Sequence, residues 1–247
     1  MNVGLYQSAA ALSSLERWQD VVAQNITSSQ VSGFKRRTVQ FNAQAMGEVA
    51  QSQKGRIGDG VASLYPRTSY GINFQQGEFT PTKNSQNATI QGEGFFVLRM
   101  PDGNRTYSRN GEFHLRPDRT LVHSDGSEIL MEGDAPIQLS AQDGAMVINP
   151  DGSIFQGDKR LGKLQVVRFA DTKQLFPAGD SKFFAAPGAE ALPVEQPEVL
   201  QGYLEGSNIS PMREMIDMVT IARAYEANQK IIQSRDGTFD KVLDALG

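Results

Sequence analysis

The sequence contains no cysteine, little net charge and no long apolar run. The lack of cysteine excludes a disulfide framework and thiolate chemistry. The formal net charge of -4 at pH 7 gives no reason to expect a nucleic-acid partner. No stretch of roughly 18 consecutive apolar residues is present, so we expect no membrane insertion. The first cation is Arg17, so we expect no ordinary signal peptide, although a protein exported by another route would look the same.

Histidine is also scarce, and no pattern of catalytic or metal-binding residues stands out. His114 and His123 could face each other across the turn at 116–120, but a zinc site needs about four ligands, so we interpret both as surface residues. A serine triad would have only these histidines, and the carboxylates are scattered without a distinct pair. The basic cluster 35–37 is too short for a binding patch and is interpreted as a solvated turn. We therefore predict no catalytic residue, no cofactor and no metal.

The C-terminal segment carries a heptad repeat typical of a helix that packs on another helix. Ser210 can cap this helix, and Pro211 suits its first position. Gln229 and Asp236 are the polar members of the repeat. The apolar members, which we predict to form an assembly seam, are Met215, Met218, Ala222, Tyr225, Ile232, Phe239, Leu243 and Leu246.

The N-terminal segment repeats the same spacing and predicts a helix over 3–28. Two terminal stripes with no helical pattern between them predict an antiparallel coiled-coil pair. The N-terminal members of the seam are Leu5, Leu12, Leu15, Val22 and Ile26. Further apolar residues are predicted on the outer faces, which indicates contact with helices of other molecules: Tyr6, Trp18, Ile216, Val219, Ile221 and Ile231.

The middle of the chain is rich in strand and turn signals. Dipeptides such as Asn110-Gly111 and Asp125-Gly126 separate short β-rich runs at 95–98, 120–122, 146–148 and 164–169, which predicts an antiparallel sandwich or barrel. The predicted fold is therefore α+β and mainly β, with discontinuous terminal helices around a central β-rich domain. The predicted boundaries are an N-terminal helix at 1–33, a connector with a strand or two at 34–70, a β-rich domain at 71–200 and a C-terminal helix at 201–247.

Several stretches of the sequence carry recurring family motifs. Asn25 precedes the run Gly33-Phe34-Lys35, residues 82–96 read T-x-N…I-x-G-x-G-F-F, and residues 107–113 read Y-S-R-N-G-E-F. Residues 201–209 read Q-G-Y-L-E-G-S-N-I, and residues 223–228 read R-A-Y-E-A-N. In this order the motifs resemble the flagellar rod and hook proteins, specifically the basal-body rod type (FlgF/FlgG-like). The positions that we expect to carry the family's structure are Asn25, Gly33, Phe34, Tyr107, Arg109, Asn110, Gly111, Ser207, Asn208, Arg223, Tyr225 and Asn228.

The resemblance implies a structural protein and not an enzyme. The terminal helices would form an inner axial domain in a helical tube that transmits torque, with homologous rod and hook-type subunits as partners. The resemblance also implies export across the inner membrane by the flagellar type III apparatus, without a cleaved signal, and a location in the basal-body rod. We favour the proximal rod because the connector at 46–70 is short, with a distal rod or hook-type protein as the alternative.

Two functions of other classes are weaker alternatives. A periplasmic β-sandwich binding module on a coiled stalk would not explain apolar stripes at both termini. A periplasmic peptidoglycan hydrolase would need a carboxylate pair or a Ser/His pair, and the sequence singles out neither.

Overall fold

The computed structural model describes residues 3–45 and 64–246. Helix α1 spans Val3–Thr27 and helix α2 spans Pro211–Leu246, and all the described strands lie between them in sequence. Both helices lie where the apolar repeats predict them, and α2 begins at Pro211 as expected. The α+β class, with a mainly β centre and a helix near each end, is confirmed. The coiled-coil geometry of the helices stays a prediction.

The strands are short, and every pairing whose register is defined is antiparallel. The β-rich runs of the sequence correspond to strands of the structure, which confirms this part of the prediction. In chain order the strands are β1 (Arg37–Ala45), β2 (Leu64–Ile72), β3 (Phe79–Pro81), β4 (Ala88–Gln91), β5 (Phe95–Arg99), β6 (Arg105–Ser108), β7 (Phe113–Leu115), β8 (Leu121–His123), β9 (Glu128–Ile129), β10 (Met146–Ile148), β11 (Ser153–Gln156), β12 (Lys159–Lys163), β13 (Val166–Phe169), β14 (Leu175–Gly179), β15 (Lys182–Ala185), β16 (Ala191–Pro193), β17 (Glu198–Gln201) and β18 (Tyr203–Glu205).

A nine-stranded sheet forms the main layer, with a path in the order β14-β15-β6-β5-β9-β8-β7 and with β13 and β16 joined to it through β5. Strands β10, β11 and β12 form a separate three-stranded sheet. The returning strands β17 and β18 pair with β4 and β3, so the end of the β-rich region lies beside its beginning. This pairing places the chain segment before α2 next to the first strands of the region.

The core lies on both sides of strand β5, because successive side chains of a strand point to opposite faces. Phe96 and Leu98 belong to the larger apolar cluster, together with Phe113, Leu121 and Ile154. Phe95 and Val97 point the other way, into a smaller cluster that contains Tyr107, Phe169 and Phe183. Ring pairs in this second cluster meet edge to face, for example Tyr107 and Phe169 with centroids 4.8 Å apart.

The chain divides into two compact units. The helical unit comprises Met1–Thr27, Arg37–Gly71 and Ser210–Gly247, and the β unit comprises Ser28–Arg36 and Ile72–Ile209. In the helical unit α1 packs against α2, and β1 pairs with β2, which agrees with the expectation of a strand or two in the connector. Trp18 of α1 contacts Phe41 of β1 edge to face, with ring centroids 5.7 Å apart. The predicted domain boundaries stay predictions.

Two expectations about the β-rich region are wrong, and one possibility is excluded. His114 and His123 do not face each other, because His123 is the register partner of Phe113 and His114 that of Val122, so the two point to opposite faces. His123 is also not a surface residue, since it is fully buried. Asn110-Gly111 is not a hairpin turn either, because its neighbours β6 and β7 do not pair with each other.

Candidate functional site

The segment after α1 crosses the β unit at Gly33, where two backbones touch. Gly33 has a φ of +67°, and a Cβ at this position would lie 2.3 Å from the backbone nitrogen of Asn110. Its own N–H donates to the carbonyl oxygen of Glu205 at 2.7 Å. A side chain would therefore be strained by the backbone conformation and would also collide with the Asn110 backbone. The glycine of the Gly-Phe-Lys motif is required by this contact.

Glu205 lies at the centre of a buried charge cluster. Its Oε1 accepts hydrogen bonds from Nζ of Lys35 at 2.5 Å and from the backbone N–H of Gly77 at 3.0 Å. Its Oε2 lies 3.4 Å from Nη1 of Arg109. The side chains of Lys35 and Glu205 are both 0% exposed, and that of Arg109 is 6% exposed. One carboxylate thus serves two cations that come from distant parts of the chain.

The surroundings of the two cations determine their electrostatics. Burial lowers the pKa of the Lys35 ammonium, and the facing carboxylate of Glu205 opposes this shift. Burial lowers the pKa of Arg109 in the same way. Arg109 is further held by the carbonyl oxygens of Ile90 at 3.0 Å and Gly92 at 2.5 Å, and its guanidinium lies 5.5 Å from the centroid of the Phe95 ring. These fixed contacts keep Arg109 in place beside Glu205.

Asn208 joins the same segments through its side-chain amide. Its Oδ1 accepts from the N–H of Arg36 at 2.7 Å, and its Nδ2 donates to the carbonyl oxygens of Asn73 and Gln75, each at 2.8 Å. Ser207 is next to it and accepts from the N–H of Ile209. An amide side chain is suited to this position because it donates and accepts at once. We call 33–36 the N-terminal crossing segment and 205–209 the C-terminal crossing segment.

A second polar cluster lies inside the helical unit, around Asn25. Its Oδ1 accepts from the N–H of Arg37 at 3.0 Å, while its Nδ2 donates to the carbonyl of Arg37 at 2.9 Å and to Oε2 of Glu214 at 3.0 Å. Asn25 is 1% exposed and Glu214 is 0% exposed. The last turns of α1, the start of β1 and the first turn of α2 are therefore linked by one amide side chain.

The remaining motif residues have separate places. Tyr107 packs in the second apolar cluster, Asn110 accepts from the N–H of Glu112, and Gly111 contacts the backbone of Ala88. In α2, Arg223 is exposed, while Tyr225 and Asn228 are half-buried. The structure thus brings Gly33, Phe34, Arg109, Asn110, Gly111, Ser207 and Asn208 together in the β unit, and it places Asn25, Arg223, Tyr225 and Asn228 in the helical unit.

The predicted seam residues differ in their burial. In α1, Val22 is buried and Leu12, Leu15 and Ile26 are half-buried. In α2, Met218, Tyr225 and Ile232 are half-buried, but Met215 and Ala222 are exposed. The side chains of Leu5, Phe239, Leu243 and Leu246 lie outside the part of the chain that the structure describes. An intermolecular role for these residues stays a prediction.

The buried face of α2 shares Met218, Tyr225 and Ile232 with the predicted heptad but differs from it at two other positions. Glu214 and Ile221 are buried where Met215 and Ala222 were expected, and Ile221 is 1% exposed, so its predicted place on the outer face is wrong. Ile216, Val219 and Ile231 are exposed as expected. The predicted solvated turn at 35–37 is also wrong for Lys35, which is buried. The sequence reasoning missed Lys35 and Glu205 as site residues, although both lie within the quoted motifs.

The N-terminal part of α2 carries an exposed apolar strip, which we define as Met212, Met215, Ile216 and Val219. Their exposed fractions are 69%, 51%, 60% and 53%. The spacing of these residues places them on one face of the helix. Ile221 follows Met212 by nine residues and so lies about 180° from it around the helix, at roughly 100° per residue. The helix is therefore apolar on two opposite faces.

These features define a class of protein. The described residues contain no group of three or more His, Cys, Asp or Glu that could hold a metal ion. Neither described helix has the length and apolar character needed to cross a membrane. What the described residues offer is a β unit with a buried charge cluster and a helical unit in which α2 carries exposed apolar residues. This organisation is typical of a structural subunit.

Comparisons with known proteins agree with this class. Residues 200–245 match the family model described as "Flagellar basal body rod FlgEFG protein C-terminal", and residues 89–156 match "Flagellar hook protein FlgE/F/G D1 domain". The chain is 29% identical to the flagellar basal-body rod protein FlgF of Caulobacter vibrioides, over 100% of this chain and 99% of that protein. It is 31% identical to the flagellar basal-body rod protein FlgG of Agrobacterium fabrum, over 88% of this chain and 89% of that protein. The chain belongs to the family of flagellar basal-body rod proteins.

Proposed function

We propose that this chain is a structural subunit of the flagellar basal-body rod and that it assembles through its terminal helices. The observation that carries the assembly proposal is the exposed apolar strip of α2. The opposite face of the same helix is already buried within the chain. Leaving large apolar side chains in water costs free energy, roughly 1.5–3 kcal/mol for each one that could be fully buried. The strip is the surface on which we expect a neighbouring subunit to pack.

Contacts between the strip and a neighbouring subunit could build a long helical assembly. A contact between the strip of one subunit and a different surface of the next is heterologous, and heterologous contacts that do not close a ring build a helical assembly. We therefore propose a helical tube in which packed helices transmit torque. The proposed partners are homologous rod and hook-type subunits, and the proposed route to them is the flagellar type III export apparatus.

The strip can be tested by placing a charge within it. Ile216→Glu is expected to leave the purified chain folded, since Ile216 is 60% exposed, but to abolish incorporation into basal bodies and swimming in a deletion strain. Burying an unpaired carboxylate in an apolar contact costs several kcal/mol. Incorporation is measured by electron microscopy of isolated basal bodies.

Thr238→Glu is the matched control. Thr238 is exposed on the same helix but several turns beyond the strip, so this variant adds the same charge and is expected to swim normally. Normal basal bodies with Ile216→Glu would contradict the proposed role of the strip. Loss of assembly with both variants would show that any added charge on α2 is harmful, which also contradicts it.

A charge on the inner face of the helices should act differently. Leu15 and Met218 are half-buried inside the helical unit. Leu15→Asp or Met218→Asp is expected to disrupt the packing of α1 on α2, to leave the β unit folded and to abolish incorporation. Hydrogen exchange at the N–H groups of Val97 and Leu121 in the purified variants reports the β unit, and motility in soft agar reports assembly. A variant that assembled normally would show that this packing is not needed in the rod.

The position within the rod is a separate proposal. We favour the proximal rod because residues 46–70 form a short connector in the sequence. Relatives named FlgF and relatives named FlgG both match the chain, so the proposal rests on the connector. Electron microscopy of a deletion strain would test it. Basal bodies that stall before any distal rod has formed are expected, whereas a completed proximal rod would overturn the assignment.

A further inference from the structure

The two crossing segments come from opposite ends of the β unit's sequence. Lys35 and Glu205 are separated by 170 residues, yet their side chains are in direct contact and fully buried. Backbone bonds also link the segments: the N–H of Gly33 donates to the carbonyl of Glu205, and the N–H of Asn208 donates to that of Phe34. The proposed assembly through helices gives no role to these buried charges, so they require their own explanation.

Each polar contact of the Glu205 side chain reaches a different segment. Lys35 belongs to the N-terminal crossing segment, Gly77 to the stretch before β3, and Arg109 to the connection between β6 and β7. Glu205 supplies the carboxylate, and Lys35 and Arg109 supply the cations. Removing the carboxylate would leave two buried cations facing each other, whereas removing Lys35 would leave Arg109 and Glu205 as a pair.

The core of the β unit is built without these segments. Both apolar clusters have their buried members between Ala88 and Val199, outside the two crossing segments. The strands of this region pair within the nine-stranded sheet, within the three-stranded sheet and between β4 and β17. Within the crossing segments, Phe34 is the apolar residue that is buried, and the other buried side chains, Lys35 and Glu205, are charged. A region held mainly by polar contacts can open locally while a packed core stays closed.

We infer that Lys35, Arg109 and Glu205 form an electrostatic latch that holds the two crossing segments together and can open without unfolding the core. When the latch is closed, the chain segment that follows α1 and the segment that precedes α2 are held together. When it is open, the β unit keeps its sheets but the two segments part. The importance of this state for the rod rests on the proposed function, whereas the latch itself is a property of the isolated chain.

Hydrogen exchange of the full-length chain tests the latch through three variants. Glu205→Gln keeps the size and acceptor oxygen of the side chain but removes its charge, and Glu205→Asp keeps the charge but shortens the reach. An electrostatic latch predicts that Glu205→Gln speeds exchange at the N–H groups of Gly33 and Gly77 by at least about a hundredfold, and Glu205→Asp by clearly less. Lys35→Met is expected to fall between them, because it leaves one paired charge.

The core provides the internal reference. Exchange at the N–H groups of Val97 and Leu121, which donate to the carbonyls of Gln165 and Ile137, is expected to change less than about threefold in all three variants. A packing role would reverse the order, with Glu205→Asp more disruptive than Glu205→Gln, and that order would overturn the inference. Uniform acceleration in the core, or failure of all three variants to fold, would also overturn it, since the core would then depend on the cluster.

The swimming phenotype distinguishes this inference from the proposed function. If both are right, Glu205→Gln impairs swimming when the crossing segments exchange fast. Fast exchange together with normal swimming would uphold the latch and show that the rod does not need it closed. Normal swimming of a strain that lacks the whole chain would refute the proposed function and leave the exchange result unaffected.

Discussion

Gly111→Ala is expected to unfold the β unit or to destabilise it by about 4 kcal/mol or more, the range reached only by severe steric or burial defects. A Cβ at Gly111 would lie 1.5 Å from the carbonyl oxygen of Ala88 and 3.3 Å from the ring of Phe96. The two backbones cannot easily separate, because the N–H of Ala88 donates to the carbonyl oxygen of Gly111 at 3.1 Å. Urea unfolding of the purified chain, followed by near-ultraviolet circular dichroism, measures the loss.

Gly103→Ala is the control for backbone conformation alone. Gly103 has a φ of +85°, but a Cβ there would meet no atom within 4 Å. The expected cost is therefore only the left-handed strain of a non-glycine residue, about 1–2 kcal/mol. If Gly111→Ala cost no more than Gly103→Ala, the close approach of Gly111 to Ala88 would not constrain the fold.

Much of the fold was predictable because its signals are local. The 3-4 spacing of apolar residues predicts both helices, and Pro211 marks the first residue of α2. Turn dipeptides between short β-branched and aromatic runs predict antiparallel strands, and β5, β8, β10 and β13 lie at those runs. Asn110-Gly111 shows the limit of this reasoning. An Asn-Gly dipeptide can form a tight turn or can allow two backbones to approach closely. Here it does the second, since Gly111 lies against the backbone of Ala88, which is distant in sequence.

The most buried residues of α2 were not predictable from hydrophobicity alone. The predicted seam members Met218, Tyr225 and Ile232 are half-buried, but the fully buried residues of the described part of this helix are Glu214 and Ile221. Burial of Glu214 is possible because Asn25, 189 residues away, donates a hydrogen bond to its carboxylate. When a polar residue is buried because a distant partner forms a hydrogen bond with it, the hydrophobic pattern alone does not identify the buried face of the helix.

The charge cluster was missed for the same physical reason. A short basic run is usually solvated, and nothing local distinguishes Lys35 from Arg36. Its burial depends on Glu205 and on the carbonyl oxygen of Gln75, which accepts from its Nζ at 2.8 Å. Such pairs depend on the sheet topology, because the pairing of β18 with β3 brings Glu205 beside the first strand of the β unit. The composition of the sequence and the spacing of its residues do not predict this pairing.

His123, like Glu214 and Lys35, has an environment built from distant parts of the chain, and it makes the stability of the β unit depend on pH. The ring of His123 is buried, and its Nδ1 lies 2.9 Å from Oδ1 of Asp125. The other carboxylate oxygen of Asp125 pairs with the ammonium of Lys182. Nε2 is buried and has no hydrogen-bond partner among the described residues. Burial, followed by the nearby Lys182 cation, lowers the pKa of His123 from 6.5 to about 4, while Asp180 and Glu112 oppose the shift.

The sign of the effect follows from proton uptake. Below pH 6.5 the unfolded chain protonates this histidine while the folded chain does not, so stability falls as the pH drops from 6.5 to about 4 and then levels off. The difference between 6.5 and 4 corresponds to a loss of about 3 kcal/mol at 1.36 kcal/mol per pH unit. We expect urea unfolding of the wild-type chain to show most of this loss between pH 7 and pH 4.5.

Two variants assign the pH dependence to one residue. His123→Asn keeps a donor near Asp125 but cannot take up a proton, so its stability is expected to be nearly flat from pH 7 to pH 4.5. His114→Gln removes the exposed histidine of the same hairpin and is expected to retain the wild-type slope. An equal fall in His123→Asn and in the wild type would assign the slope to the carboxylates instead. In that case the imidazole of His123, whose neighbour Asp125 already pairs with Lys182, would not be the group that makes the β unit sensitive to acid.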